Sequence, residues 1–457
     1  MQSSARREQL THWVKLALLI VLIPLAAASL LRGMNKASQT ICDYEQFWVS
    51  GVLVRQGMNP YRVFLEERQM LLDDYAFPYD PDFTCADPLP DRPNYNTPLL
   101  ALLMVPFSWL DFYTSKMIWA ALQVVMAIAL PLVMLRLNWR EPGRMWQAIA
   151  VLLLLAWAPT RTTFAHGQVA LLTSLALMLS VVLARRGLPI VAGILLGLAV
   201  SKYTLTGAVL VFFIAYRYYR VLGVALLTQL LGLLGLAPLV GETPLQIIGS
   251  YFSLLQNVVG QSYEIVSLDG WLNIFGVSPL LSALIAFGLG ALIVLTLVLP
   301  QFVGEARGAA GDQSPAYRRV KGNLLIVTMV LVGLLFVYHR MYDLPIAFVY
   351  ITFLMGASLP DTLHSRAGHV YAALAGAGLL LTGAVIVPPS APSLFFDEPL
   401  SYVIAAIPIT LSLLLALGAS ILTLHRLDDV LWLFERGPAL APVERAPDGA
   451  LDMESQA

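Results

Sequence analysis

Apolar runs long enough to cross a lipid bilayer recur from one end of the chain to the other. A spanning helix needs about 20 mainly apolar residues and rarely has fewer than about 17. Only 12% of the residues are charged and 58% are hydrophobic, whereas a soluble domain carries about 25% charged residues. The sequence therefore predicts an all-α polytopic membrane protein. We expect 12 spans, at 13–33, 114–136, 145–160, 168–184, 188–202, 204–219, 220–240, 279–301, 322–338, 342–358, 368–387 and 401–424.

One transmembrane domain, 1–428, accounts for most of the chain. The remainder, 429–457, is predicted to be a disordered cytoplasmic tail. The largest piece outside the membrane is the first outer loop, 34–96, in which we expect two short helices at the membrane interface, at 44–56 and 62–75. The net charge of −1 implies no nucleic-acid partner.

The apolar segment 97–110 decides the predicted topology. It is too short to span, so we expect it to be re-entrant or interfacial. With this segment excluded, the positive-inside rule is satisfied and both termini are cytoplasmic. The protein would then be a multi-pass protein of the inner (plasma) membrane, with its first helix retained rather than cleaved as a signal. The basic residues on the predicted inner side are Arg6, Arg7, Arg136, Arg140, Arg144, Arg185, Arg186, Arg217, Arg220, Arg307, Arg318, Arg319, Lys321 and Arg426.

Polar residues at the predicted outer ends of the helices mark the candidate site. An aspartate can act as a base on a hydroxyl group, and lysine and arginine bind phosphate oxygens by charge-assisted hydrogen bonds. An acid that faces cations at one membrane surface therefore suits a lipid-phosphate substrate. The candidate residues are Asp43, Glu45, Arg161, His166, Gln168, Lys202, Asn257, His339 and Arg340, with Asp343 close by.

Each candidate also has a structural interpretation. Asp43 could be a helix cap, Lys202 could extend from a helix end towards the interface, and Glu45 could be a supporting or a surface carboxylate. Arg161, His166, His339 and Arg340 could belong to polar turns or caps, and Gln168 could only pack at a helix start. The acidic run of the first loop is read as a solvated face, and no metal site or cofactor is predicted. The run consists of Asp73, Asp74, Asp80, Asp82 and Asp87.

A set of short motifs resembles glycosyltransferase family 87. The order of the motifs along the chain is the same as in that family, although the family has a proline after the lysine that corresponds to Lys202. The matching stretches are Asp43 to Trp48, the turn Gly57-Met58-Asn59-Pro60-Tyr61, Asn94 to Pro98, Gly167 to Leu172, Gly193 to Lys202, and Asn257 with Gln261 and Ser262.

The resemblance implies a fold of the GT-C type and a hexosyltransferase that takes its sugar, often mannose, from a polyprenyl-phosphate donor. The family includes the mycobacterial phosphatidylinositol-mannoside mannosyltransferases. The resemblance implies that Asp43 is the catalytic residue at the outer face, and we expect it to act as the base for a lipid or glycan acceptor. A single dominant carboxylate predicts an inverting reaction. Lys202, His339 and Arg340 would hold the carrier phosphate, and Tyr61 of the proline-tyrosine turn would join the binding residues. A transporter or flippase of a polyprenyl-linked sugar is the alternative, since charged groups also mark transport paths.

The two cysteines, Cys42 and Cys85, fall in the one large outer loop. An oxidising exterior would permit a disulfide between them, but their placement in one loop is equally compatible with free thiols. A bridge would restrict the loop next to Asp43.

Overall fold

The computed structural model describes residues 2–39, 42–67, 70–71, 95–139, 142–258, 267–303, 314–337, 339–357, 366–384 and 400–435. Helices form throughout these ranges, and no β-strand occurs in them. The predicted all-α class is therefore confirmed for this part of the chain. Cys85 and the side chain of Cys42 lie outside the described residues, so the predicted disulfide stays open.

The helices vary widely in length. Three 3-10 segments, Pro106–Trp109, Gly207–Val209 and Met341–Ala347, and one π-helical segment, Val294–Val298, lie between them. In chain order the α-helices are α1 (Gln2–Gln39), α2 (Cys42–Arg55), α3 (Pro60–Glu66), α4 (Pro98–Met104), α5 (Phe112–Leu135), α6 (Arg144–Ala156), α7 (Ala158–His166), α8 (Ala170–Arg185), α9 (Pro189–Val200), α10 (Tyr203–Thr206), α11 (Leu210–Ala215), α12 (Tyr219–Val240), α13 (Pro244–Val258), α14 (Leu268–Ile274), α15 (Pro279–Ile293), α16 (Pro300–Val303), α17 (Pro315–Phe336), α18 (Phe348–Met355), α19 (Arg366–Ala384), α20 (Leu400–His425), α21 (Leu427–Val430) and α22 (Trp432–Glu435).

Six helices in the described ranges are long and apolar enough to cross a membrane. Two bent pairs raise the number to 8 if each pair is one span: α6 with α7, bent by 57°, and α9 with Tyr203–Ala215, bent by 118°. Several other predicted spans correspond to apolar helices of 10–17 residues, so the count of 12 stays a prediction. The six long apolar stretches are Thr11–Ser38, Phe112–Leu135, Tyr219–Val240, Leu280–Phe302, Pro315–Phe336 and Ile407–His425.

The first loop differs from the expectation of helices at the membrane interface. From Asp43 to Val54 every residue of α2 is buried except Trp48, which is half-buried. Apolar side chains lie all around this helix, so it has no polar face to turn towards water. It packs instead against α4, α5, α7 and α12, and its polar side chains are enclosed by the protein.

The segment 97–110 forms α4 and the 3-10 turn that follows it. Together they run from Pro98 to Trp109, which is shorter than a spanning helix. The backbone N–H of Thr97 donates to the carbonyl of Ser201 at 3.2 Å, which ties the start of this segment to the bend between α9 and α10.

Helix α17 lies at the centre of the protein. In its apolar stretch, 94% of the residues are buried, the largest share among the six long helices. It ends at Phe336, so it delivers the segment that contains His339 and the 3-10 turn Met341–Ala347 to the interior. At the far end of the chain, helical structure continues to Glu435, and Phe434 stacks on Phe353 with ring centroids 4.9 Å apart. The rest of the predicted tail lies outside the described residues.

Candidate active site

Asp43 and His166 form the first half of the candidate site. Asp43 lies in the first turn of α2, and His166 is the last residue of α7. The Oδ2 atom of Asp43 lies 3.2 Å from Nδ1 of His166, and its Oδ1 atom accepts a hydrogen bond from Gln46 Nε2 at 3.3 Å. Asp43 is only 4% exposed. A carboxylate this deeply buried needs such partners, because burial of an unpaired charge is costly.

Gly167 explains why these two helix ends meet. It follows His166 with a φ of 69°, the left-handed conformation that ends many helices and suits glycine. A Cβ atom on Gly167 would lie 2.6 Å from Cβ of Tyr44, the neighbour of Asp43. Trp119 of α5 also contacts this glycine, because its indole N–H donates to the Gly167 carbonyl at 2.8 Å. The missing side chain therefore lets the first turn of α2 pack directly on the end of α7.

Lys202 begins the second half of the site. It lies at the break between α9 and α10, where the chain turns by 118°. Its ammonium group pairs with Oδ1 of Asp343 and donates to Oε1 of Gln168 at 3.2 Å. The ammonium also lies 5.0 Å from the ring centroid of Tyr342, within cation–π range. With its side chain 11% exposed, Lys202 is directed into the protein rather than out to the membrane surface.

His339 is completely buried. Its Nδ1 atom lies 3.2 Å from Oδ2 of Asp343, and its backbone N–H donates to Oγ of Ser267 at 3.4 Å. Its Nε2 atom is also buried and has no hydrogen-bond partner among the residues that the structure describes. One ring nitrogen is thus committed to Asp343, and the other is not. Buried polar atoms without a partner are uncommon in folded proteins, so this nitrogen is the clearest candidate for a ligand contact.

Gln168 joins the two halves. Its Oε1 atom accepts a hydrogen bond from Lys202 at 3.2 Å, and its side chain lies near enough to Asp43 to favour the charged form of that carboxylate. Burial by itself raises the pKa of Asp43, but the hydrogen bond and charge of His166, the charge of Arg340 and the hydrogen bond of Gln168 together outweigh it. The pKa of Asp43 therefore lies below its ordinary value, and the group is ionised at neutral pH. The result is one buried network of polar side chains, which we call the polar chain. Its members are Asp43, Gln168, Lys202, Asp343 and His339.

Arg340 borders the polar chain, and Glu45 is buried in the same helix turn as Asp43. The backbone N–H of Arg340 donates to Oδ2 of Asp343 at 3.4 Å, and the guanidinium charge acts on Asp43. Glu45 is only 2% exposed, so its interpretation as a surface carboxylate is wrong. The error has a simple cause: α2 is enclosed by other helices, which the spacing of its own residues does not indicate.

Tyr61 and Arg161 make their contacts away from the polar chain. The hydroxyl of Tyr61 donates to the Asn96 carbonyl at 2.9 Å, so it links α3 to the start of the next segment. Arg161 is half-buried, and its Cγ atom lies 3.4 Å from the position that a Cβ on Gly33 would take, so its stem packs along α1. The side chain of Asn257 lies outside the described residues, as does the acidic run of the first loop.

Asp343 is the residue to which sequence reasoning gave no role. The sequence places it four residues after His339, which is one helical turn and brings the two side chains to the same face. That spacing is a usable signal. Its contact with Lys202, however, joins residues 141 positions apart and has no local signature.

The comparisons with known proteins give one match. The family model of glycosyltransferase family 87 matches residues 94–337, which is more than half of the 457 residues. No curated protein and no solved structure matches the chain significantly. Of the polar chain, Gln168 and Lys202 lie inside the matched range, Asp43 precedes it, and His339 and Asp343 follow it.

Proposed function

Because the chain belongs to glycosyltransferase family 87, we propose that it moves a hexose, mannose first among them, from a polyprenyl-phosphate donor to a lipid or glycan acceptor. Family membership and the long apolar helices make the protein a membrane glycosyltransferase. The nature of the donor and acceptor, the GT-C architecture, the position of the site at the outer face of the inner membrane and the role of each residue belong to the proposal.

The observation that carries the proposal is the polar chain itself. An ionised carboxylate, Asp43, lies at one end, and two nitrogen groups, those of Lys202 and His339, lie towards the other. Glycosyl transfer from a phosphate carrier needs both kinds of group: one accepts a proton from the attacking hydroxyl, and the other stabilises the charge left on phosphate. A single buried network that holds both is well suited to this reaction.

At the carboxylate end, Asp43 takes the proton of the acceptor hydroxyl as the acceptor oxygen bonds to the anomeric carbon. His166 and Gln46 hold the two carboxylate oxygens in place, so the orientation is fixed before the substrate arrives. The low pKa of Asp43 makes it a modest base. Its negative charge also favours the positive charge that develops on the sugar as the bond to the carrier weakens.

At the cationic end, the bond between the anomeric carbon and the carrier oxygen breaks, and its electron pair remains on that oxygen. The products are a glycosylated acceptor and the polyprenyl phosphate. Lys202, His339 and Arg340 stabilise the phosphate through charge and hydrogen bonds, the kind of stabilisation that is usually the largest contribution to catalysis. With one carboxylate at the reacting carbon, the route is a single displacement that inverts the anomeric configuration. The leaving group is already an ionised phosphate, so the proposal includes no cofactor.

The test is sugar transfer by the purified protein in proteoliposomes. The donor is polyprenyl-phosphate mannose with a radiolabelled sugar, and the acceptor is a lipid extract of the native membrane. We expect a labelled glycolipid whose new bond has the opposite anomeric configuration to the donor, as read by NMR. A nucleotide-linked mannose should give no product.

The same vesicles separate this function from transport. A flippase would move labelled donor from one leaflet to the other without forming a glycosidic bond. Donor movement with no new bond would contradict the proposal, and so would equal transfer from the nucleotide-linked sugar.

A further inference from the structure

Asp343 is a buried carboxylate held between two nitrogen groups. One of its oxygens pairs with the ammonium of Lys202, and the other lies 3.2 Å from Nδ1 of His339. The second oxygen also accepts from the backbone N–H of Arg340 at 3.4 Å. The backbone N–H of Asp343 in turn donates to the Arg340 carbonyl at 2.9 Å, which closes the turn around the carboxylate.

These contacts exclude a role for Asp343 as a ligand of the substrate phosphate. Two negative groups in contact repel each other, and Asp343 is only 3% exposed, so water does little to screen it. Its oxygens are already engaged by several donors. The carboxylate can therefore act on an anionic substrate only through Lys202 and His339.

Removing Asp343 would change both of these neighbours. Lys202 would lose the carboxylate of its ion pair, and His339 would lose the partner of its Nδ1 atom. A buried ammonium without an opposite charge is costly, and Lys202 has a long flexible side chain, so without its partner it could turn towards water. Asp343 thus holds the ammonium inside the protein.

The contact with His339 also fixes the imidazole ring. A carboxylate at Nδ1 selects the form with a proton on that nitrogen and sets the ring direction. The opposite nitrogen, Nε2, is the buried atom that has no partner among the described residues. In the imidazolium both ring nitrogens carry a proton, and in that form Nε2 is the atom that would donate to a phosphate oxygen.

We propose that Asp343 is a positioning residue of the donor-phosphate site, which holds Lys202 and aims Nε2 of His339 at the carrier phosphate. The proposal rests on the proposed function, and its test includes a measurement that needs no sugar transfer. Removal of the carboxylate that orients a metal-ligating histidine typically costs about 10- to 100-fold in affinity or activity, and we expect an effect of the same order for Asp343.

The test combines single and double variants of Asp343 and Lys202. We expect Asp343→Asn to raise the KM for the donor about 10- to 100-fold and to weaken binding of polyprenyl phosphate in nanodiscs by a similar factor. The KM for the acceptor should stay at the parental value. Asp343→Glu keeps the charge and should recover part of the loss. If the asparagine variant inserts poorly into the membrane, the same measurements are made on Asp343→Glu. In the Lys202→Ala background, Asp343→Asn should cost less than in the parent, because only its effect on His339 remains.

Glu242→Gln is the matched control. Glu242 is a half-buried carboxylate that also bridges two partners, Arg62 Nη1 at 2.6 Å and Asn59 Nδ2 at 2.6 Å, and it lies outside the polar chain. It should lower thermal stability without changing the donor KM. A purely structural Asp343 would behave like this control, and equal losses in donor and acceptor KM would overturn the proposal.

Two further results would also overturn it. One is a double variant whose loss equals the full product of the two single losses. The other is an Asp343→Asn variant that binds polyprenyl phosphate as tightly as the parent. A parental protein that binds no polyprenyl phosphate would overturn both proposals together. A parental protein that binds the phosphate but forms no glycosidic bond would contradict only the proposed function, and the binding measurements would still test Asp343.

Discussion

Two buried aspartates belong to the same polar chain, and their surroundings differ. Asp43 meets the ring of His166, whose side chain is 24% exposed, and the amide side chain of Gln46. Asp343 meets the ammonium of Lys202, the completely buried ring of His339 and a backbone N–H. The first carboxylate lies beside a partly open position, whereas the second is enclosed by donors. Burial and charge alone therefore do not identify a catalytic base. A catalytic base must also be able to contact a substrate hydroxyl without breaking its ion pair with a buried cation.

The largest expected effect is that of Asp43→Asn. The change keeps the size and most hydrogen bonds but removes the basic oxygen, and general bases typically contribute about 100- to 10,000-fold. Sugar transfer in proteoliposomes should fall by that factor, whereas insertion and binding of polyprenyl phosphate should stay near the parental level.

Asp111→Asn is the control for this variant. Asp111 caps α5 by accepting from the Thr114 backbone N–H at 3.0 Å, and asparagine caps about as well as aspartate. Its transfer rate should equal that of the parent. If Asp43→Asn behaves in the same way, Asp43 is a cap and the contrast between the two aspartates disappears.

Lys202→Ala and His339→Ala test the cationic end of the comparison. Each removes a charge-assisted contact to the leaving phosphate, and loss of about 1.5–3 kcal/mol corresponds to roughly 10- to 150-fold in rate. Lys202→Arg should recover part of the loss because it keeps the charge. Steady-state transfer at varied donor concentration is the measurement. Parental transfer rates in both alanine variants would show that Lys202 and His339 do not bind the phosphate.

Gly167→Ala probes the carboxylate end alone. The left-handed conformation costs an alanine about 1–2 kcal/mol, and the new methyl group would press on Tyr44 next to Asp43. We expect a lower melting temperature and about tenfold slower transfer, with binding of polyprenyl phosphate unchanged. Gly223→Ala, at a helical position with no atom within 4 Å of the added carbon, should change neither. Weaker phosphate binding by Gly167→Ala would show that the two ends are not separable.

Tyr61→Phe should have the smallest effect. The variant loses one hydrogen bond, to the Asn96 carbonyl, which is worth about 1 kcal/mol in stability. Transfer kinetics should stay at the parental values, since the hydroxyl is used within the protein. A raised KM for either substrate would return Tyr61 to the binding residues.

Much of the fold could be read from the sequence because its cause is local. The apolar runs predict helices, and the breaks at Gly167 and Lys202 fall between predicted spans. The sequence singled out Asp43, Lys202 and His339 as polar residues at predicted helix ends, and the structure brings all three into one network. These inferences need only the chemistry of each segment and the thickness of a membrane.

The remaining features depend on tertiary contacts. The enclosure of α2 requires four other helices, so the sequence of α2 suggested a surface position. Likewise, Tyr61 belongs to a conspicuous turn, yet its hydroxyl is taken up by a carbonyl 35 positions away. The pairing of Asp343 with Lys202 arises from the bend of 118° at the end of α9. No periodicity in the sequence states the angle of such a bend.

The distance along the chain between members of the polar chain has a consequence for biogenesis. Asp43 and His166 are 123 positions apart, and Lys202 and Asp343 are 141 positions apart. At about 5–20 residues per second, the ribosome completes Asp343 roughly 15–60 s after Asp43. A nascent or prematurely terminated chain that lacks α17 and the turn after it thus carries Asp43 and Lys202 without His339, Arg340 and Asp343. The cell cannot obtain a working transferase from such a chain, because the site is complete only after residue 343 of the 457 has been made.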